Sequence, residues 1–587
     1  MAGETPVQRA LRDAREGRLD AAIQSLRFLV QRQPSNLEAV QALGLLLTQA
    51  GQQGQAIHQL SRAVAVAPQV PAFRNNLANA LMGAGRHAEA EEQCRKALEV
   101  DPRYERAWLG LALARSALGN ADGAIEACER GLALRPAWPE LARAYASVLE
   151  SADRIDEAVG VLERAVAATP GDAELRARLL LALNYTDRGA ESIAGAHRAY
   201  GLATGAAAAR AIASPDPQRP IRIGVLSGDL RTHSVGYFVE PWIVAKPAGT
   251  TLVAFNASPP AADDPMQRRF RGLFDQWVEA AFLDDSALDR AIRDARIDVL
   301  VELSGHTAGS RLSALRGRPA PVIVSAIGYP NTTGHPAVDY RLVDSVTDPP
   351  GADGLATERL IRLDPCFLCY TPPADAPAAE APTGPVTFGS FNLSTKVSER
   401  TLELWSGVLA AVPGSRLLVK SKALAGESAR RHFLGRLAAA GVEGDRVELV
   451  AYTRGVAEHL ALYGRVHVAL DSAPYNGTTT TCEALWMGVP VVVLEGDRHA
   501  SRVGASLLRA AGKGEWIARD AAEFREIAAR LAREGAADAQ RRRSVRDSLR
   551  ASPLCDAASY SGRFHAAIRR AWAEICVEYS GSGPRAG

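Results

Sequence analysis

The stretch from Asp471 to Gly496, DSAPYNGTTTTCEALWMGVPVVVLEG, holds the densest chemistry in the chain. A strand ends near Asp471, a turn carries Asn476 and Gly477, and Thr478, Thr479, Thr480 and Thr481 lead into a helix at Cys482 and Glu483. Free N–H groups at a helix start, joined by threonine hydroxyls, make an anion site fit for a diphosphate. Glu483, in the first turn, is placed to accept ribose hydroxyls. The plainer alternative is an N-cap followed by an ordinary helix. Lys396 comes just after GSFN (389–392), and Lys420 and Lys422 follow the strand RLLV. Singly, each lysine reads as a surface residue; together they can offset a leaving diphosphate. His459 can stack on a base or serve only as a helix residue. His233 in RTHSVGYF and His306 in ELSGHTAGSR each follow a strand, so both would face one cleft. A neutral imidazole there can accept a proton near neutral pH, and the alternative is a structural histidine.

What is missing narrows the chemistry further. No G-x-G-x-x-G follows the first strand and no Walker sequence occurs, which argues against a dinucleotide dehydrogenase or a P-loop kinase. There is also no D-x-D to hold a divalent ion on a diphosphate. No metal is expected, and charge neutralisation falls to lysine, arginine and helix N-termini. Cys366 and Cys369 form a C-x-x-C, but no second pair or suitably spaced histidine accompanies them, so they read as ordinary thiols.

These residues need a scaffold of strand ends, and the pattern supplies one. IRIGVLSGD (221–229), TLVAF (251–255), IDVLVEL (297–303) and VIVSAIG (322–328) read as buried strands with helical stretches between some of them. VTFGSF, SRLLVKS, RVELVAY, VHVALDS and VPVVVLEG form a second series. Such alternation implies doubly wound parallel sheets, with a ligand cleft at the carboxyl ends of the strands. We expect a first lobe over 221–370, a Pro/Ala-rich linker over 371–385 and a second lobe over 386–587, with a cleft suited to nucleotide-containing ligands. GYPNTTG (328–334) has the turn residues of a loop that approaches a ligand closely.

The region before the lobes is built differently. Pro34, Pro68, Pro102, Pro136 and Pro170 repeat every 34 residues, and Ala22, Ala56, Ala90, Ala124 and Ala158 keep the same step. One helix pair per period explains both, with the alanine where two helices touch and the proline starting the next helix. This is the tetratricopeptide pattern, expected over 1–187 and followed by a helical linker over 188–220. A superhelix of this kind grips peptides on its concave face or serves as a spacer.

Composition agrees with this picture. The 587 residues suggest three or four domains at about 150 residues each. A hydrophobic share of 47% and a charged share of 23% exclude disordered, collagen and coiled-coil chains. Lys and Arg (68) nearly balance Asp and Glu (66), leaving +2, without the field of a dedicated nucleic-acid binder. No apolar run approaches the roughly 18 residues that span a bilayer, and the polar start is no signal or transit peptide. The reading is a cytoplasmic protein with neither nucleic acid nor membrane as partner.

Taken together, THSVGYF, VELSGHTA, RPAP with GYPNTTG and VDYRLVDS, CFLCYTP, FGSFN with Lys396, APYNGTTTTCEALWMGVP and SPLCD resemble the SPINDLY and O-GlcNAc transferase family, glycosyltransferase family 41. ELSGHTA, GYPNTTG, CFLCYTP, GTTTTCE and SPLCD look more like the SPINDLY branch. The resemblance implies tetratricopeptide repeats followed by a GT-B region of two Rossmann-like lobes. It implies an inverting, metal-independent protein O-glycosyltransferase acting on Ser or Thr hydroxyls. By matching position, it makes His233 a base or sugar contact, Lys396 the group that neutralises the diphosphate, and His459 a neighbour of the nucleobase. Thr479 and Thr480 then hold phosphate, and Glu483 takes the place of a ribose-binding carboxylate. O-GlcNAc transferases carry histidine where Thr478 stands and aspartate where Glu483 stands. SPINDLY-type enzymes are associated with GDP-fucose, so GDP-fucose is the first choice of donor and UDP-GlcNAc the alternative. The family's asparagine ladder for the acceptor backbone is present at Asn76 but replaced by Ala42, Gly110 and Ala144. Two other classes stay open: a catalytically silent repeat scaffold, and a transferase acting on small molecules or glycans.

Overall fold

The computed structural model of the chain describes residues 4–378, 380–534 and 538–581; residues 1–3, 379, 535–537 and 582–587 of the expected segments lie outside these. Two compact units result. One runs through Thr169 and includes Gly426–His432; the other holds Pro170–Ala425 and the chain from Phe433 onward.

In the first unit, antiparallel helix pairs follow one another from Pro6 to Ala168. Ala22, Ala56, Ala90, Ala124 and Ala158 are all fully buried on the second helix of their pairs. The close approach is real: a Cβ added to Gly44 would sit 2.5 Å from Leu60 Cγ. The periodic prolines do not start helices as expected. They lie in the turn, and the N-cap follows two residues later, at Asn36, Val70, Tyr104, Trp138 and Asp172. Asn36 and Asp172 use their side chains there, accepting from the Ala39 and Leu175 N–H groups. Gly17, Gly51, Gly85 and Gly119 make the turn within each pair with φ of +84°, +71°, +72° and +77°, and Asp153 takes that place at +64°.

The second unit contains two all-parallel sheets. The first comprises β1 (Arg222–Ser227), β2 (Thr251–Asn256), β3 (Gln276–Glu279), β4 (Val299–Glu302), β5 (Val322–Ser325), β6 (Tyr340–Val343) and β7 (Arg359–Arg362), in the order β3-β2-β1-β4-β5-β6-β7. The second comprises β8 (Thr387–Ser390), β9 (Arg416–Lys420), β10 (Val447–Val450), β11 (Val468–Leu470), β12 (Val491–Leu494) and β13 (Ile517–Ala518), in the order β10-β9-β8-β11-β12-β13. Strand order reverses between β1 and β4 and again between β8 and β11, and a ligand crevice forms at such switch points. The sequence pattern had not marked β3, β6, β7 or β13. β3 and β7 are half-exposed and polar, and β13 is two residues long. β6 is buried throughout but carries Arg341, which pairs with Asp348 at 3.2 Å.

Two boundaries differ from the expected ones. Residues 188–220 are no simple linker: helix Ala190–Thr204 is docked on the first lobe, with His197 and Tyr200 buried. His197 Nε2 lies 2.7 Å from the Tyr329 hydroxyl. Residues 386–587 are no single lobe either. Helix Ala557–Gly581 returns to the first sheet and completes its core, placing Tyr560, Phe564, Ile568 and Trp572 with Val225, Val299 and Val324. Phe564 stacks on Trp242 at 4.3 Å. Its apolar ridge finds an open face on the first sheet, as amphipathic packing requires. The described part of 371–385 has neither helix nor strand.

Candidate functional site

A cavity of about 530 Å³ opens where the carboxyl ends of the two sheets face each other. Asp229 and His233 beyond β1, Thr307 beyond β4 and Gly328 beyond β5 supply one wall. Asn392 beyond β8, Lys420 at the end of β9 and Thr478 beyond β11 supply the other.

The second wall is organised by Asp471. One oxygen, Oδ1, accepts from Asn392 Nδ2 at 2.9 Å, Ser472 N at 2.9 Å and Gly477 N at 2.7 Å. Burial pushes this carboxyl up from its ordinary value, against those donors and Lys396. The loop it holds delivers helix Thr479–Trp486, whose first turn opens on the cavity through Thr478, Thr479 and Thr480. The Thr480 hydroxyl donates to Asn392 Oδ1 at 2.8 Å. Thr481 does not join them: it is buried and its hydroxyl bonds the Gly477 carbonyl at 3.2 Å. That is a helical i−4 bond, which turns the side chain away from the opening.

Lys396 is enclosed beside this loop. Its Nζ donates to the Asn476 carbonyl at 3.1 Å and sits 3.9 Å above the Tyr475 ring. Burial lowers its pKa, with Asp471 opposing. Lys420 lines the same cavity, and burial lowers its pKa too, against the pull of Glu483. Lys422 begins a short helical turn and is not among the cavity-lining residues. His459, on helix Gly455–Ala461, reaches Glu483 Oε2 through Nε2 at 2.9 Å. The two form one acidic corner of the cavity, with Phe391 packed 5.7 Å from the imidazole.

On the opposite wall, His233 opens to the cavity 3.5 Å from Asp229 Oδ1. The Val235 N–H lies 3.3 Å from His233 Nδ1, the same ring nitrogen that faces Asp229 Oδ1. Burial lowers the His233 pKa and raises that of Asp229, each opposed by the other's charge. His306 is not in the site. It is buried behind the GYPNTTG loop, its Nε2 2.7 Å from the Thr333 carbonyl. Tyr200 and Tyr329 pack against the ring at 4.7 and 5.1 Å. Burial drives its pKa to about 4, so it is a neutral core histidine. A strand-end position was the signal for both histidines; the hydrophobic helix that covers one of them lies far upstream, beyond the reach of local pattern.

Several lining residues escaped the sequence reading. Asp229, Arg231, Asn392 and Phe367 belong to motifs quoted above but had no role attached. Tyr185 stacks on Tyr475 at 5.2 Å and comes from the segment after the last repeat-like helix, where nothing local marks it. Cys366 and Cys369 are buried free thiols; Cys366 Sγ lies 3.3 Å from the Ser506 hydroxyl.

With this geometry in hand, comparison with known proteins is informative. The sequence signature of glycosyltransferase family 41 matches residues 214–369 and 378–564. The chain belongs to that family. Tetratricopeptide signatures match 7–71, 42–105, 81–148 and 139–183. A relative from Arabidopsis thaliana, named probable UDP-N-acetylglucosamine--peptide N-acetylglucosaminyltransferase SPINDLY, is 41% identical over 370 residues. That is 62% of this chain and 40% of the relative. The SPINDLY relative from Petunia hybrida is also 41% identical, over 62% of this chain and 40% of its own. The Arabidopsis thaliana relative named SEC reaches 27% over 53% of this chain and 33% of its own. The family 41 chain is thus more similar to proteins named SPINDLY, and it spans about 40% of the length of those relatives. A solved O-GlcNAc transferase variant from Thermobaculum terrenum superposes with a TM-score of 0.78 and 33% identity, covering 86% of this chain and 98% of that one. No described helix is long and apolar enough to cross a membrane.

Proposed function

We propose that this protein is an inverting, metal-independent O-glycosyltransferase that moves a sugar from a nucleoside-diphosphate donor to Ser or Thr hydroxyls of proteins. The observation that carries this reading is the half-buried Lys396 at the mouth of helix Thr479–Trp486, where Thr478, Thr479 and Thr480 open on the cleft. A diphosphate there meets helix N–H groups, hydroxyls and an ammonium, which together stabilise it as it leaves. Glu483, held by His459, takes the ribose hydroxyls, and Lys420 adds a second positive charge. His233, beside Asp229, contacts the sugar or serves as the base. The repeats supply a surface for the protein acceptor.

For the donor, GDP-fucose is preferred on the SPINDLY resemblance and on Thr478 and Glu483 at positions where O-GlcNAc transferases differ. UDP-GlcNAc is favoured by the names of the relatives. Incubating the pure protein with labelled GDP-fucose or UDP-GlcNAc and a cell lysate decides between them. Label in protein from GDP-fucose alone is the expected result. Nucleotide binding without transfer or hydrolysis of either donor would make the protein a silent scaffold instead, and label confined to small molecules or glycans would change the acceptor class.

A further inference from the structure

One buried pair borders the cleft without a part in the phosphate site. His499, in the short turn His499–Ser501 beyond β12, lines the cavity while being only 7% exposed. Its Nδ1 lies 2.5 Å from Oδ2 of Asp348, in the loop beyond β6. Arg341 on β6 reaches the other oxygen of Asp348 at 3.2 Å. Burial alone would raise the Asp348 pKa, but Arg341 and His499 outweigh it and keep the carboxylate ionised, below its usual range.

An ionised carboxylate against Nδ1 fixes the tautomer. Nδ1 carries the proton and donates it, so Nε2 keeps its lone pair. Burial, followed by the Arg341 charge, lowers the His499 pKa and keeps the ring neutral. Among the described residues Nε2 has no hydrogen-bond partner, and unlike His306 Nδ1 and His335 Nε2 it is not sealed from solvent. Phe367 packs edge-on at 5.0 Å and holds the ring in one orientation. The turn is also tied to the phosphate loop: Asn476 N donates to the Ala500 carbonyl at 2.9 Å, and Gly504 N to Asn476 Oδ1 at 3.2 Å. A fixed lone pair in this wall needs an O–H or N–H donor. Diphosphate oxygens offer none at neutral pH, and the ribose side of the cleft is already served by Glu483 and His459. The hydroxyls of the donor's sugar are such donors.

We propose that His499, oriented by Asp348, accepts a hydrogen bond from one hydroxyl of the donor's sugar and thereby selects which sugar is carried. This rests on the nucleotide-sugar reading above and makes Asp348 a positioning residue. The test uses the full chain and a set of donors, each lacking one sugar hydroxyl. Wild type should lose about 10- to 100-fold in kcat/KM with one of them, as expected when a buried acceptor is left unpaired. In H499L that donor and its parent should become nearly equal, while free GDP or UDP binds within about twofold of wild type. Asp348→Asn, with the fold checked by circular dichroism, should do the same, because an amide donating to Nδ1 moves the ring proton to Nε2. Unchanged discrimination in H499L overturns the proposal alone. So does equal loss of free-nucleotide binding, and so does lost transfer with unaltered discrimination in donor hydrolysis, which would assign the ring to the acceptor. A wild type that binds GDP or UDP yet ignores every sugar nucleotide overturns the functional reading and this proposal together.

Discussion

At the scale of single residues, burial does most of the work in this cleft, because it decides which charges a ligand can restore. Lys396 carries an ammonium that burial disfavours, with a carbonyl and an aromatic face as its polar contacts. A diphosphate arriving there stabilises the cation and pulls its pKa back up. Lys396→Met should therefore lower transfer by about 10²- to 10³-fold, the usual effect of removing one electrostatic stabiliser, with the melting curve little changed. The sign of the pH dependence follows. Above the lowered lysine pKa, binding must take up a proton, so nucleotide affinity falls as pH rises through that value and is flat below it. Calorimetry in buffers of different ionisation enthalpy measures the uptake, and a pH-independent affinity on the alkaline side would remove Lys396 from the diphosphate. His306 makes the opposite case. Its Nε2 bonds the Thr333 carbonyl and its ring is enclosed by tyrosines. His306→Ala should cost about 1–3 kcal/mol of stability, read by denaturant titration, while the folded protein keeps its turnover. A selective loss of kcat with unaltered stability would return His306 to the chemistry.

The threonines, Lys396 and Glu483 were legible from residue type at a strand-to-helix junction, because that junction is local. Thr481 was misplaced for an equally local reason: one step along a helix turns a side chain by about 100°, and composition does not say which of four threonines faces out. His499 and Asp348 were not legible at all, since 151 residues separate the pair.

At the scale of elements, periodicity decided what could be read. The 34-residue step gave the helix pairs outright, while the proline was assigned to the wrong side of its turn. Proline's fixed φ suits either place: Pro71 and Pro139 do open helices, while Asn36 and Asp172 mark the start by capping. The turn inside each pair makes a sharper demand. Gly85 has φ of +72° and open space around its missing Cβ, so a substitution there meets backbone strain and no clash. Gly85→Val should cost about 1–2 kcal/mol, seen as a lower thermal midpoint for the repeat unit. An unchanged midpoint would mean the repeat tolerates a different turn. Among strands, those with a continuous apolar run were found, and those with exposed polar faces or a buried arginine were not.

At the scale of the whole molecule, the unexpected feature is the path of the chain. The repeats and the two sheets are all present, and the chain clusters into two compact units, the second holding both sheets. Helix Ala557–Gly581 belongs by sequence to the second lobe and by packing to the first. Burying side chains such as Phe564, Ile568 and Trp572 is worth about 1.5–3 kcal/mol each before the entropy of ordering the helix is set against it, so losing the helix uncovers several such side chains' worth of core at once. A chain ending at Asp556 should be insoluble or bind apolar dyes, and a soluble, monomeric product with an intact near-ultraviolet spectrum would contradict this role.

The same helix also sets an order of events during synthesis. A nascent chain grows at roughly 5–20 residues per second and its domains ordinarily fold as they emerge. Here the first sheet leaves the ribosome with one apolar face open, and it stays open until the entire second sheet and helix Ala557–Gly581 have been made. An interrupted message therefore yields a polypeptide with no finished cleft, and a surface that chaperones and proteases recognise.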